Sequence, residues 1–194
     1  MRLRMFCMQD HRTAGQLDHI TLNDSAPVDR SDCQEGTGMS FDGGAAVLAG
    51  LLGGALMSAL LYMGIAMMPR QMRMNLFLML GTMMFRKGKM AYMAGAMMHA
   101  VMSIVFGLIH VAVFVAFDVE DSLAAWGVLF GLVHWMVSGM GLGMLPMMHP
   151  AIRHREIDAP GVFALSYPPL TAMGFLMLHI LFGVLVGAFY TAFN

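Results

Sequence analysis

Four histidines lie deep inside long apolar stretches of this chain: His99, His110, His134 and His179. An ionisable side chain in such a setting is costly, and where it occurs it is a candidate for function. A buried imidazole can hydrogen-bond across helices, ligate a metal or a haem iron, or relay protons. Methionine is the second unusual feature, with 25 in 194 residues. Met97-Met98-His99, with Met102 one turn on, places thioether beside imidazole, and Met136, Met140 and Met144 follow His134 at helical spacing. Soft sulfur ligands with imidazole favour Cu(I). The candidate metal set is therefore Met97, Met98, His99, Met102, His134, Met136, Met140, Met144 and His179. The candidate haem b pair is His99 with His179, which lie 80 residues apart on helices of the same character. Packing explains the same residues without a ligand, because methionine fills irregular space against glycine-rich faces and a neutral imidazole can simply tie two helices together. His11, His19, His149 and His154 fall outside the apolar runs and are expected to be solvated.

Enzymatic signatures are lacking. No carboxylate lies inside an apolar run, and neither an HExxH motif nor a phosphate-cradling Gly-Lys loop is present. Ser58, Ser103 and Ser138 read as small packing residues, since no acidic group is at hand to orient a Ser–His pair. Cys7 and Cys33 show no metal-ligand spacing.

The elements that position these side chains are four runs free of Asp, Glu, Lys and Arg: Gly44–Met68, Met90–Phe117, Leu123–Met148 and Leu170–Phe193. Each is long enough for the roughly 20 residues a helix needs to cross a bilayer. A charge at mid-span would cost about 2.5–3.5 kcal/mol, and its absence from four consecutive runs predicts an all-α membrane protein. The architecture expected is a four-transmembrane-helix bundle over residues 44–194, with spans at about 44–68, 90–117, 123–148 and 170–193. Only 12% of the chain is charged, against about 25% in soluble domains, and no basic stripe suits nucleic acid. The lipid bilayer is the expected partner. A second copy of the chain or a subunit of a membrane complex is the open alternative.

Residues 1–43 hold seven of the twelve acidic residues and no apolar period, so a polar, disordered tail is expected there. No apolar stretch follows Arg2 and Arg4 to make a secretory signal, and Met39 is an alternative start. Between the first two spans, Gln71–Phe85 is too short to cross and predicts an interfacial or re-entrant helix. Pro160, Pro168 and Pro169 break any helix before the fourth span.

Small residues recur every fourth position: Gly50 and Gly54 in the first span; Gly95, Ser103 and Gly107 in the second; Gly127, Gly131, Gly139 and Gly143 in the third; Gly183 and Gly187 in the fourth. In lipid, such faces are where helices meet. Gly50 and Gly131 lie 81 apart, as do Pro69 and Pro150, which predicts two repeated helix pairs.

Taken together, AGLLGGALMSALLYMGIAMMPRQMRMNLFLMLGTM, the MMHAVMSIVFGLIH helix, GLVHWMVSGMGLGMLPMM and LMLHILFGVLVGAFY resemble a family of small bacterial four-span inner-membrane proteins, the YagU-like domain of unknown function. The resemblance covers about residues 44–192 and implies a helix bundle with no assigned reaction or ligand. The long tail and the methionine load depart from the family pattern. A non-enzymatic bundle acting as a membrane subunit, scaffold or small-ligand-binding protein is the function these residues support first. Copper or haem b binding is the alternative, and a small transporter is a further one.

Arg70, Arg73, Arg86, Lys87 and Lys89 lie between the first two spans, Arg153 and Arg155 between the last two, while the intervening DVEDS loop is acidic. The positive-inside rule then puts loops 69–89 and 149–169 in the cytoplasm of a bacterial inner membrane, with both termini outside. An impermeant thiol reagent should therefore label Cys7 and Cys33 of the full-length chain in intact, reduced spheroplasts. Labelling seen only after lysis would reverse the orientation.

Overall fold

The computed structural model describes residues 39–119 and 121–194. The first 38 residues, with Cys7, Cys33 and most of the expected tail, lie outside the described part. The chain forms α1 (Gly43–Met67), a short α2 (Leu76–Gly81), α3 (Lys89–Ala116), α4 (Leu123–Met148), a single turn α5 (Pro150–Arg153), a 3-10 turn at Val162–Ala164 and α6 (Pro169–Phe193). No strand occurs among the described residues. The four long helices are each long and apolar enough to cross a membrane, so this is a multi-pass membrane protein.

Two helix pairs are zipped together by small residues. Lipid supplies no hydrophobic force between helices, so close backbone packing must replace it. A Cβ at Gly50 would run into the Ser103 carbonyl and the Gly107 backbone, which brings α1 and α3 together. A Cβ at Gly127 would run into the Gly183 carbonyl, one at Gly131 into the backbone of His179 and Ile180, and one at Gly187 into Leu123. These contacts join α4 to α6. Gly50 meets the Ser103 carbonyl and Gly131, 81 residues on, meets the His179 carbonyl; Gly107 meets Gly50 and Ala46, and Gly183 meets Gly131 and Gly127. Gly139 and Gly143 face not a helix but the side chains of Phe163 and Val162 in the 3-10 turn.

The pairs join through α1 and α6, where Ala45, Ala46, Ala49, Phe182, Val186 and Tyr190 are buried together with Val111 and Phe114 of α3. Asp42 caps α1, accepting from Gly44 N at 2.7 Å and Ala45 N at 2.9 Å. The fully buried Tyr190 donates its hydroxyl to Ser40 O (3.0 Å) and accepts from Asp42 N (2.9 Å), so residues 40–42 belong to the folded unit.

The helices are arranged as an arc, α3–α1–α6–α4, whose ends hardly touch. Near the DVEDS loop, aromatic rings close the gap: Phe114 and Phe117 of α3 meet Phe130 of α4 at 5.2 and 6.5 Å between ring centroids. Towards the basic loops α3 and α4 splay apart. Segment 71–85 turns back at this end, but only Leu76–Gly81 of it is helical. Gly81 packs on the Ala91 carbonyl and Gly95 on the Phe77 carbonyl, which docks α2 against α3. Asn75 caps α2 by accepting from Leu78 N at 3.1 Å and from the Tyr62 hydroxyl at 3.0 Å. Thr171 of α6 donates to Gln71 O (2.6 Å) and accepts from Arg73 N (3.1 Å), pinning the segment from the other side.

If the α4–α6 contact is built as described, Gly183→Leu should destabilise the detergent-solubilised protein by about 1–3 kcal/mol, the usual cost of overpacking. Met177→Leu, on the outward face of the same helix, should leave the melting temperature unchanged. A Gly183→Leu variant melting with the parent would refute the contact.

Candidate functional site

The splay between α3 and α4 leaves a cavity of about 360 Å³. It runs from mid-depth to the basic end. Met74, Leu76, Met79 and Leu80 of the α2 segment line one end of it. Met57 and Leu61 of α1 and Leu178 and Phe182 of α6 line its back. Its mouth is flanked by Met102 of α3 and Val137 and Gly141 of α4, all of them exposed on the outside of the bundle. His99, His134 and His179 line it as well, and among the described residues no Asp, Glu, Lys, Arg or Cys does.

The histidines are held by their helices. His179 lies one turn after Phe175 on α6, and its Nδ1 is 2.7 Å from the Phe175 carbonyl. A carbonyl can only accept, so Nδ1 carries the proton, and Nε2 of the neutral ring is a lone-pair acceptor. His110 repeats this geometry, with Nδ1 2.7 Å from Phe106 O and a buried Nε2 that has no partner. His134 stands between them. Its ring is 4.8 Å from His179 and 5.4 Å from His110, both edge-on, and it stacks on Phe106 at 3.8 Å. Its Nδ1 is buried without a partner. Phe182 of α6 closes the group, edge-on to both His110 and His134 at 5.5 Å. His99 packs beside Phe77 of α2 at 5.9 Å, with a buried, unpartnered Nε2.

The nine candidate ligands divide. His99, Met102, His134 and His179 meet at the cavity. Met97, 70% exposed, and Met136, Met140 and Met144, each about half exposed, point outward, where lipid would lie. Helical geometry requires this: two residues on from the inward-facing His134 is a rotation of about 200°, so Met136 and the stripe it begins face away. Met98 is partly buried but does not line the cavity. Of the proposed haem pair, His179 packs on His134 and His99 on Phe77. Among the described residues no three or more His, Cys, Asp or Glu side chains converge as a metal site.

No family model, curated protein or solved structure matches this chain.

One histidine departs from its expected place. His149 is fully buried rather than solvated. Its Nε2 donates to Met79 O at 2.7 Å, which leaves Nδ1 to accept from Ile152 N at 3.4 Å and cap α5. It thus clamps the end of α4 to α2, beside the cavity. The sequence carried a signal for this, because Pro150 follows it and proline is favoured at the first position of a helix. Outside the spans, Tyr167 donates to Asp158 O at 3.1 Å, and burial pushes its phenol above the ordinary value.

His149→Ala should leave the Met79 carbonyl only its longer bond from the Thr82 hydroxyl (3.2 Å) and open a void, lowering stability by about 1–3 kcal/mol. His154→Ala, on an exposed residue of the same loop, should have no effect in the same melting assay. Equal melting of both variants would remove the clamp.

Proposed function

We propose that this chain is a non-enzymatic integral membrane protein that takes a small, mostly apolar molecule from the bilayer into the cavity between α3 and α4. The cavity itself carries this reading. At about 360 Å³ it lies within the range of roughly 300–1,000 Å³ of small-molecule pockets. Its lining is apolar with a few convergent polar groups, the usual composition of such sites. Its mouth is flanked by apolar side chains on the face that meets lipid, so a ligand need not pass through water. The basic residues of loops 69–89 and 149–169 support a reading in which α2 and the nearby end of the cavity face the cytoplasm of a bacterial inner membrane.

The meeting of His99, Met102, His134 and His179 at one cavity supports a second reading, Cu(I) held by imidazole and thioether.

Gly141 lies at the mouth with open space around it, so Gly141→Phe should block entry without disturbing the backbone. Energy transfer from tryptophan to anthracene, titrated into the detergent-purified protein, should saturate in the parent. Its midpoint should rise about tenfold or more in Gly141→Phe at unchanged melting temperature. Identical titrations would overturn the cavity reading. The copper reading expects bound copper after loading under reducing conditions, lost in Met102→Leu and His134→Phe; equal copper content in parent and variants would end it.

A further inference from the structure

The polarity of the site narrows what it can hold. We infer that the ligand is a neutral, ring-headed lipid bearing a hydroxyl donor, a long-chain phenol or quinol, whose hydroxyl donates to His179 Nε2 and whose tail leaves between α3 and α4. The inference rests on the ligand-binding reading above and goes further by assigning a chemical class.

Four observations support it. The first is charge. Among the described residues, the cavity lining contains no Lys or Arg to pair with a phosphate or carboxylate and no Asp or Glu to pair with an amine. A charged head would be buried unpaired at a cost of several kcal/mol or more, so the head is neutral. The second is the sense of the hydrogen bonds. His179 spends its ring proton on Phe175 O, so the nitrogen left is an acceptor. It matches an O–H and repels a carbonyl or ether oxygen, which offers only lone pairs. The third is His134. It makes no hydrogen bond among the described residues and packs edge-on to His179 at 4.8 Å. Whichever tautomer it adopts, it can donate to or accept from the same hydroxyl, and a hydroxyl has both capacities.

The fourth is shape. Phe106, Phe175 and Phe182 line the cavity beside the imidazoles, presenting ring faces and edges of the kind that favour an aromatic guest. The volume is at the small end of the ligand-pocket range, enough for a ring and the start of a chain. A longer tail must therefore pass the mouth between Met102 and Val137 into the hydrocarbon.

The test uses three probes that differ only in the head: 4-decylphenol, which donates and accepts; 4-decylanisole, which only accepts; and decylbenzene, which does neither. Each is titrated as a competitor of the anthracene signal on the full-length, detergent-purified protein. Decylphenol should bind about three- to tenfold more tightly than decylanisole, the range expected for one net hydrogen bond. His179→Phe should bring the two to parity. His179→Gln, whose amide oxygen restores an acceptor, should recover part of the preference. Parity in the parent, or a preference that survives His179→Phe, would overturn the hydroxyl inference. If the three probes compete equally, the cavity reading stands and the hydroxyl assignment fails; if neither anthracene nor any probe binds, both fail. Should His179→Phe not fold, the phenol–anisole comparison in the parent still decides.

Discussion

Close backbone contact at glycine governs this fold. In water, the hydrophobic effect would press these helices together almost regardless of detail. In hydrocarbon that force is missing, and dispersion between tightly fitted surfaces takes its place. The α1–α3 and α4–α6 seams exist because Gly50, Gly107, Gly127, Gly183 and Gly187 allow one backbone to touch the next. α3 and α4 have no matching glycine seam. They are tethered by the short acidic loop, held by ring contacts from that end to the Phe106–His134 stack at mid-span, and diverge beyond it. The cavity is a consequence of where the small residues are absent.

The histidines then acquire their character from the same geometry. On α3 and α6, an imidazole can satisfy one nitrogen with its own helix, four residues back, as His110 and His179 do. That bond leaves a single directed acceptor on each ring. His134 on α4 makes no such bond and stands between the other two, on the side where the bundle is least closed. Its Nδ1 is buried without a partner among the described residues, as are Nε2 of His99 and Nε2 of His110.

Much of this was legible in the residues, and the limits are physical. Charge-free runs locate all four helices to within about one residue, because the cost of a buried charge is large and local. Small residues at four-residue spacing mark the seams because helices in lipid associate by close packing. Their partners were harder to read. Gly50 packs on Ser103 and Gly131 on His179, but spacing alone leaves such partners open, since a slide of one turn preserves every four-residue pattern. The methionine stripe on α4 has the period of a ligand face and of a lipid face alike, and only the inward direction of His134 separates them. His149 looked like a loop residue because periodicity is silent about capping. The cavity leaves no trace in sequence, being made of contacts that are not formed.

Tyr190 bears on how the molecule is made. Its hydroxyl secures residues 40–42 at the start of α1, and the buried face of α1 is covered jointly by α3 and α6. α6 follows α1, α3 and α4 in the chain. While the ribosome is still extending the chain, α1 and α3 can already zip together in the membrane, but α1 keeps an uncovered flank around Gly53, the seat of the Phe182 ring. Each apolar helix can insert on its own, but packing is not completed in chain order: lipid covers the Gly53 flank of α1 until α6 arrives to replace it.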